Sequence, residues 1–144
     1  MDTQLMNLVY EILASLAYGA VGMVLMVLGY LLVDLLTPGR LHTLIWRNRN
    51  RNAAVLVATN MLGVAVIVST AIYVSEGHFV PGAAASAAYG TVGLLLMGVA
   101  FLVIDLLTPG KLGELVTDDQ PHPAVWVNSA AHLALALVLA AAIS

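Results

Sequence analysis

The stretch ASLAYGAVGMVLMVLGYLLVDLLTPGRL, Ala14 to Leu41, decides how this chain is read. It opens with more than 20 residues that are almost all apolar and ends in Asp34, Thr37, Pro38 and Gly39. Seventy-one residues later the chain runs ASAAYGTVGLLLMGVAFLVIDLLTPGKL, Ala85 to Leu112, and 17 of these 28 positions are identical. Composition alone does not produce that match, because Tyr, Asp, Thr and Pro recur in register. The apolar part of each copy is long enough to cross a bilayer, which takes about 20 residues at 1.5 Å per residue. Pro and Gly then stop the helix, because the residue before a proline is pushed out of the helical region and glycine permits the turn that follows. The stop chemistry accounts for TPG and leaves Asp34 and Asp105 to be explained.

Working outward, two further apolar runs of spanning length follow the two copies. The four spans cover roughly Ala14–Leu36, Ala53–Val74, Ala83–Leu107 and Ala124–Ile143. In all, 61% of the 144 residues are apolar and only 9% are charged, more apolar surface than a soluble chain of this size can bury. The opening MDTQLMNLVYE carries no basic residue, so it does not read as a secretory signal peptide. It reads as two or three extra turns leading into the first helix, lying at or just outside the interface. With no cysteine there is neither a disulfide framework nor a thiolate metal site.

The five basic residues fall in two of the three connections: Arg40, Arg47, Arg49 and Arg51 between spans one and two, and Lys111 between spans three and four. SEGHFVPG, between spans two and three, has none. Short connections rich in Lys and Arg stay in the cytoplasm, so both termini are expected outside a bacterial inner membrane. RNRNRN, Arg47 to Asn52, reads as a topology anchor touching anionic headgroups, not as a nucleic-acid contact. Trp46 and Trp126 suit the aromatic belt at the same interface.

The second spans match more loosely, NAAV at Asn52 against HPAV at His122. The unit of repetition is therefore a helix pair, one copy at about 14–74 and the other at about 83–143, within a single membrane domain of 1–144. An even number of spans preserves orientation, so the expected fold is all-α: four transmembrane helices as two parallel repeats about a pseudo-two-fold axis along the membrane normal. These features resemble the YjfL-like family of bacterial inner-membrane proteins, in which a two-helix unit with a D-x-x-[TS]-P-G-like end and an N-x-A-like start occurs twice. The resemblance implies a four-helix inner-membrane protein and brings no activity with it. The fourth span departs from it, with His122-Pro123 where the Asn is expected.

An aspartate near a helix C-terminus faces the negative end of the helix dipole, so its retention in both copies calls for a reason. In the leading reading Asp34 and Asp105 bond backbone amides or a neighbouring Arg or Lys and lock each connection to its helix end. In the second, the parallel axis brings them together as a cation or proton site, one carboxyl holding a proton against its like-charged neighbour. In the third, the surface around Thr37 and Thr108 docks a cytoplasmic partner. Gly19, Gly22 and Gly29, with Gly90, Gly93 and Gly98, read as smooth faces through which spans one and three pack at the centre. Thr59, Asn60, Asn128 and His132 are polar groups inside apolar runs, read as interhelical bonds or as a polar track leading inward from the aspartates. His42, His78 and His122 have no second ligand at metal spacing, and no cofactor is implied.

Neither H-E-x-x-H, nor a phosphate-binding loop, nor G-x-S-x-G is present, so an enzyme is not expected. Two functions from different classes follow. The first is a non-catalytic scaffold or accessory subunit, a homo-oligomer that presents basic cytoplasmic connections to anionic lipid or a protein partner. The second is a small ion or proton conductor using Asp34 and Asp105.

Overall fold

The structure, a computed structural model, describes residues 2–37, 39–75, 79–107, 112–118 and 120–144. Its elements are α1 (Asp2–Leu36), a π-helical turn (Thr43–Arg47), α2 (Arg51–Val74), α3 (Phe79–Leu107), α4 (Leu112–Thr117) and α5 (Pro123–Ile143). Four of the described helices are long and apolar enough to cross a membrane: Thr3–Leu36, Arg51–Val74, Pro81–Leu107 and Pro123–Ile143. Helices are the expected solution, because backbone groups facing lipid must be bonded within their own segment. The opening residues lead directly into the first helix, as read from the sequence. They continue α1 to 35 residues, about 52 Å at 1.5 Å per residue, and residues 3–13 are exposed on every side.

Local chemistry sets the helix ends. The Asn50 side chain caps α2 by accepting from the Ala53 N–H at 3.0 Å. At the start of α5, the Nδ1 of His122 accepts from the Ala124 N–H at 3.2 Å, and Pro123 takes the first helical position, where no N–H is needed. Phe79–Gly82, read from the sequence as part of a connection, belongs to α3. A proline is compatible with a first helical turn, so VPG does not break the helix there.

The end that carries Arg40, Arg47, Arg49 and Arg51 is the basic end, where α2 and α5 begin; the α2–α3 connection lies at the far end. α2 packs against α1, α3 and α5 and against both short elements, most extensively against α5. Its buried positions, among them Leu56, Asn60, Val64, Ile67 and Ala71, form one stripe at helical spacing. The sequence places spans one and three at the centre; the structure places α2 there, with α1 and α5 on opposite sides of the α2–α3 pair.

The glycines show how this arises. A Cβ on Gly29 would lie 2.8 Å from a methyl of Val64 on α2. One on Gly93 would strike Ile67 on α2, and one on Gly90 would strike Leu25 on α1. Gly22 and Gly98 leave ordinary contact, with Val68 and Ile72 at 3.7 Å and Leu32 at 3.4 Å respectively. Gly19 has nothing within 4 Å, so it is not part of any seam. The close approaches thus converge on α2 as much as on the α1–α3 pair. A cluster of Leu25, Val64, Ile67, Val68, Leu94, Met97 and Ala136 fills the far half of the bundle.

Candidate functional site

The first helix end is built around Asp34. Its Oδ1 accepts the Leu41 N–H at 2.9 Å, across the chain reversal that follows α1. Leu41 is fully buried and packs in a small cluster with Val33 and Val57. Gly39 adopts a positive φ of 98°, which a residue with a Cβ rarely takes. Thr37 is buried, and its hydroxyl has no hydrogen-bond partner among the described residues. Asp105 is half-buried near the end of α3 and is engaged by a partner of its own. Thr108, Pro109, Gly110 and Lys111 lie outside the described residues, as do Pro38 and His78.

Removing the Asp34 carboxylate should therefore act through a backbone amide. Asp34→Ala leaves the Leu41 N–H without its acceptor, which costs about 1 to 3 kcal/mol. Asp34→Asn keeps a carbonyl oxygen in the same place and should lose little. Thermal unfolding of both variants in lipid nanodiscs checks this; equal losses would mean that charge, not the acceptor, is what matters.

In the run Arg47–Asn52 only two residues turn inward, and Asn48 stays exposed with the arginines. Arg47, Arg49 and Arg51 are exposed, as is Arg40, whereas Asn50 and Asn52 are buried. Arg49 sits at a positive φ of 53°, within the chain reversal between the π-helical turn and α2. Asn50 donates to the Asp118 carbonyl at 2.9 Å. Asn52 donates to the carbonyls of Asp118 at 3.1 Å and Gln120 at 2.8 Å and accepts the His122 N–H at 3.1 Å. These bonds join segments about 70 residues apart and fasten the start of α2 to the start of α5. The sequence match pairs Asn52 with His122; in the structure the two are bonding partners. The residue that does at α2 what His122 does at α5 is Asn50, since each caps its helix.

Trp46 and Trp126 are both well exposed near the basic end, and His42 is exposed beside them. Among the described residues no group of three His, Asp or Glu could hold a metal ion.

Farther in, Asn60 on α2 and His132 on α5 stand at one height, each nine residues beyond its helix start, about 14 Å inward. That is close to the middle of a 30 Å hydrocarbon core. The Thr59 hydroxyl donates to the Val55 carbonyl at 2.8 Å, and His132 Nδ1 bonds the Asn128 carbonyl at 2.7 Å. Both bonds stay within one helix, a common recourse for polar side chains in helices; the interhelical pairing read from the sequence is not what these two residues make. The His132 ring packs on Phe101 of α3, ring centres 4.8 Å apart. Asn50, Asn52 and Ser129 went unread in the sequence as buried groups. A capping residue is expected immediately before an apolar run, which is where Asn52 stands; the cap itself is Asn50, two residues earlier.

Spans, caps and a basic end with exposed tryptophans define a multi-pass helical membrane protein. The chain belongs to the family described as Domain of Unknown Function (DUF350), which it matches over residues 6–143. It is 39% identical over 131 residues to a "UPF0719 transmembrane protein" of Mycolicibacterium paratuberculosis, covering 91% of this chain and 87% of that one. It is 38% identical over 137 residues to "UPF0719 transmembrane protein Mb2631" of Mycobacterium bovis, covering 95% and 90%. No match to it is found among solved structures.

Proposed function

We propose that this protein is a non-catalytic component of a bacterial inner membrane that holds a rigid basic face against anionic headgroups on the cytoplasmic side. In this reading both termini lie outside. The two helix pairs are parallel repeats about an axis along the membrane normal. The observation that carries it lies within Arg47–Asn52: Asn50 and Asn52 are tied into the protein, which fixes the backbone, while Arg47, Arg49 and Arg51 beside them stay exposed. A basic residue near an anionic surface is worth about 1 kcal/mol. Four of them on a fixed backbone make a stronger lipid contact than a mobile loop would, because less freedom is lost on binding.

The test replaces Arg40, Arg47, Arg49 and Arg51 with Gln and compares retained lipid after purification from mixed anionic and zwitterionic membranes. The native protein should keep anionic lipid, and the variant should lose it by about a hundredfold or more in affinity. Equal retention would remove the reading. Homo-oligomer formation belongs to the same proposal; residues 3–13 of α1, exposed on every side, give a second copy an apolar surface. A monomeric particle in nanodiscs would count against it.

The repeated aspartate favours the ion- or proton-conducting alternative. Against it stand the Leu41 N–H bound to Asp34 and the apolar filling of the far half of the bundle. Proton or ion flux in proteoliposomes that vanishes in the Asp34→Asn, Asp105→Asn variant, with its melting temperature held, would put the alternative first.

A further inference from the structure

α2 and α5 run parallel and meet closely where a Cβ on Gly63 would lie 3.0 Å from that of Ala136 and 4.0 Å from the His132 carbonyl. One turn toward the basic end, this contact sets Asn60 on α2 at the level of Ser129 and His132 on α5. These three side chains are 0%, 3% and 1% exposed. Both polar atoms of Asn60, the Ser129 hydroxyl and the His132 Nε2 have no hydrogen-bond partner among the described residues. Unbonded polar groups in mid-membrane are expensive, and four of them in one layer are not a random scatter.

Their chemistry specifies a guest. The Asn128 carbonyl only accepts, so His132 Nδ1 carries the proton of that bond and Nε2 offers a lone pair. The Asn60 amide both donates and accepts, and so does the Ser129 hydroxyl. The set is neutral and mixed, with no carboxylate to favour a bare cation. It suits a small neutral molecule that donates and accepts at once.

We propose that Asn60, Ser129 and His132 form a buried water-binding site at the middle of the membrane. A small cavity of about 10 Å³ lies beside Asn60, lined by Gly29, Val33, Val64, Gly98 and Phe101 among others; Phe101 is also the ring on which His132 packs. The site closes toward the far end, where the apolar cluster around Ile67 and Ala136 begins. Toward the basic end it is bounded by a second apolar cluster, of Ala53, Leu56, Phe101, Val116 and Val125, so the site is enclosed within the bundle. The proposal stands apart from the lipid-binding role.

The test is made on the native protein in lipid bilayers, by timing proton magnetisation transfer from water in solid-state NMR. The Asn60 side-chain amide and the His132 ring should receive it several times faster than the Ile67 backbone amide in the apolar cluster. Transfer to Asn60 and His132 as slow as to Ile67 would overturn the site. Asn60→Leu gives a second readout. It should lower the melting temperature and shift the His132 Nε2 resonance if water is bound. A higher melting temperature in Asn60→Leu, the mark of an orphaned amide removed from a dry core, would also overturn the proposal.

Discussion

Asn52→Leu should destabilise the protein by about 2 to 3 kcal/mol, roughly 1 kcal/mol for each hydrogen bond lost. Among the described residues the side chain makes three bonds, to the Asp118 and Gln120 carbonyls and from the His122 N–H. Leucine has nearly the same bulk and makes none of them. Asn50 still holds the Asp118 carbonyl, so the chain should fold but with the connection before α5 loosened. Asn52→Asp separates the parts. Its carboxylate can still accept the His122 N–H but now faces two carbonyl oxygens it cannot donate to, so the loss should be at least as large as in Asn52→Leu. Thermal unfolding in nanodiscs gives the stabilities, and protease cleavage between residues 118 and 122 reports the loosening directly. Native stability and native cleavage rates in Asn52→Leu would show that the clamp carries no weight.

The second large effect is steric and lies at the far end. A Cβ on Gly82 would overlap the Tyr18 hydroxyl and lie 2.5 Å from the Ser75 carbonyl oxygen. Tyr18 can swing away by giving up its 3.3 Å bond to that carbonyl. The carbonyl itself cannot move so easily. It belongs to the residue that ends α2, whose own amide bonds the Ile72 carbonyl. Gly82→Ala should therefore cost about 2 to 3 kcal/mol, the usual range for forcing atoms into a filled contact. Tyr18→Phe should relieve only part of this, and the double variant measures how much. Gly19→Ala is the control. With nothing within 4 Å of its added Cβ, it should be neutral or gain up to about 1 kcal/mol from better helix propensity. A loss at Gly19 as large as that at Gly82 would mean that the overlap at Gly82 does not set the response.

These two glycines also mark the limit of what spacing reveals. Gly19 sits in the repeated YG-x-VG phrase and looks like a packing residue, yet it faces open space. Gly82 sits in VPG and looks like a turn, yet it is wedged between Tyr18 and the end of α2. The same contrast holds in Arg47–Asn52. Both residue types alternate along the chain, and only the fold turns Asn50 and Asn52 inward while leaving the arginines outside. Asn60 and His132 were legible as polar groups in apolar runs. Ser129 was not, because a serine in a membrane helix often bonds its own backbone and stands out only when it does not.

The sequence by itself determined the four spans, the basic end and the helix stop after Asp34. Each follows from local terms: the length of an apolar run, the placement of charge, and the backbone limits of Pro and Gly. The tertiary structure alone decided that α2 lies at the centre, which glycines admit a neighbour, and that Asn60, Ser129 and His132 share one layer. The physical reason lies in the solvent. Lipid is as apolar as the helix faces, so no hydrophobic pattern marks which face turns inward. The choice falls to the fit of side chains from helices far apart in the chain.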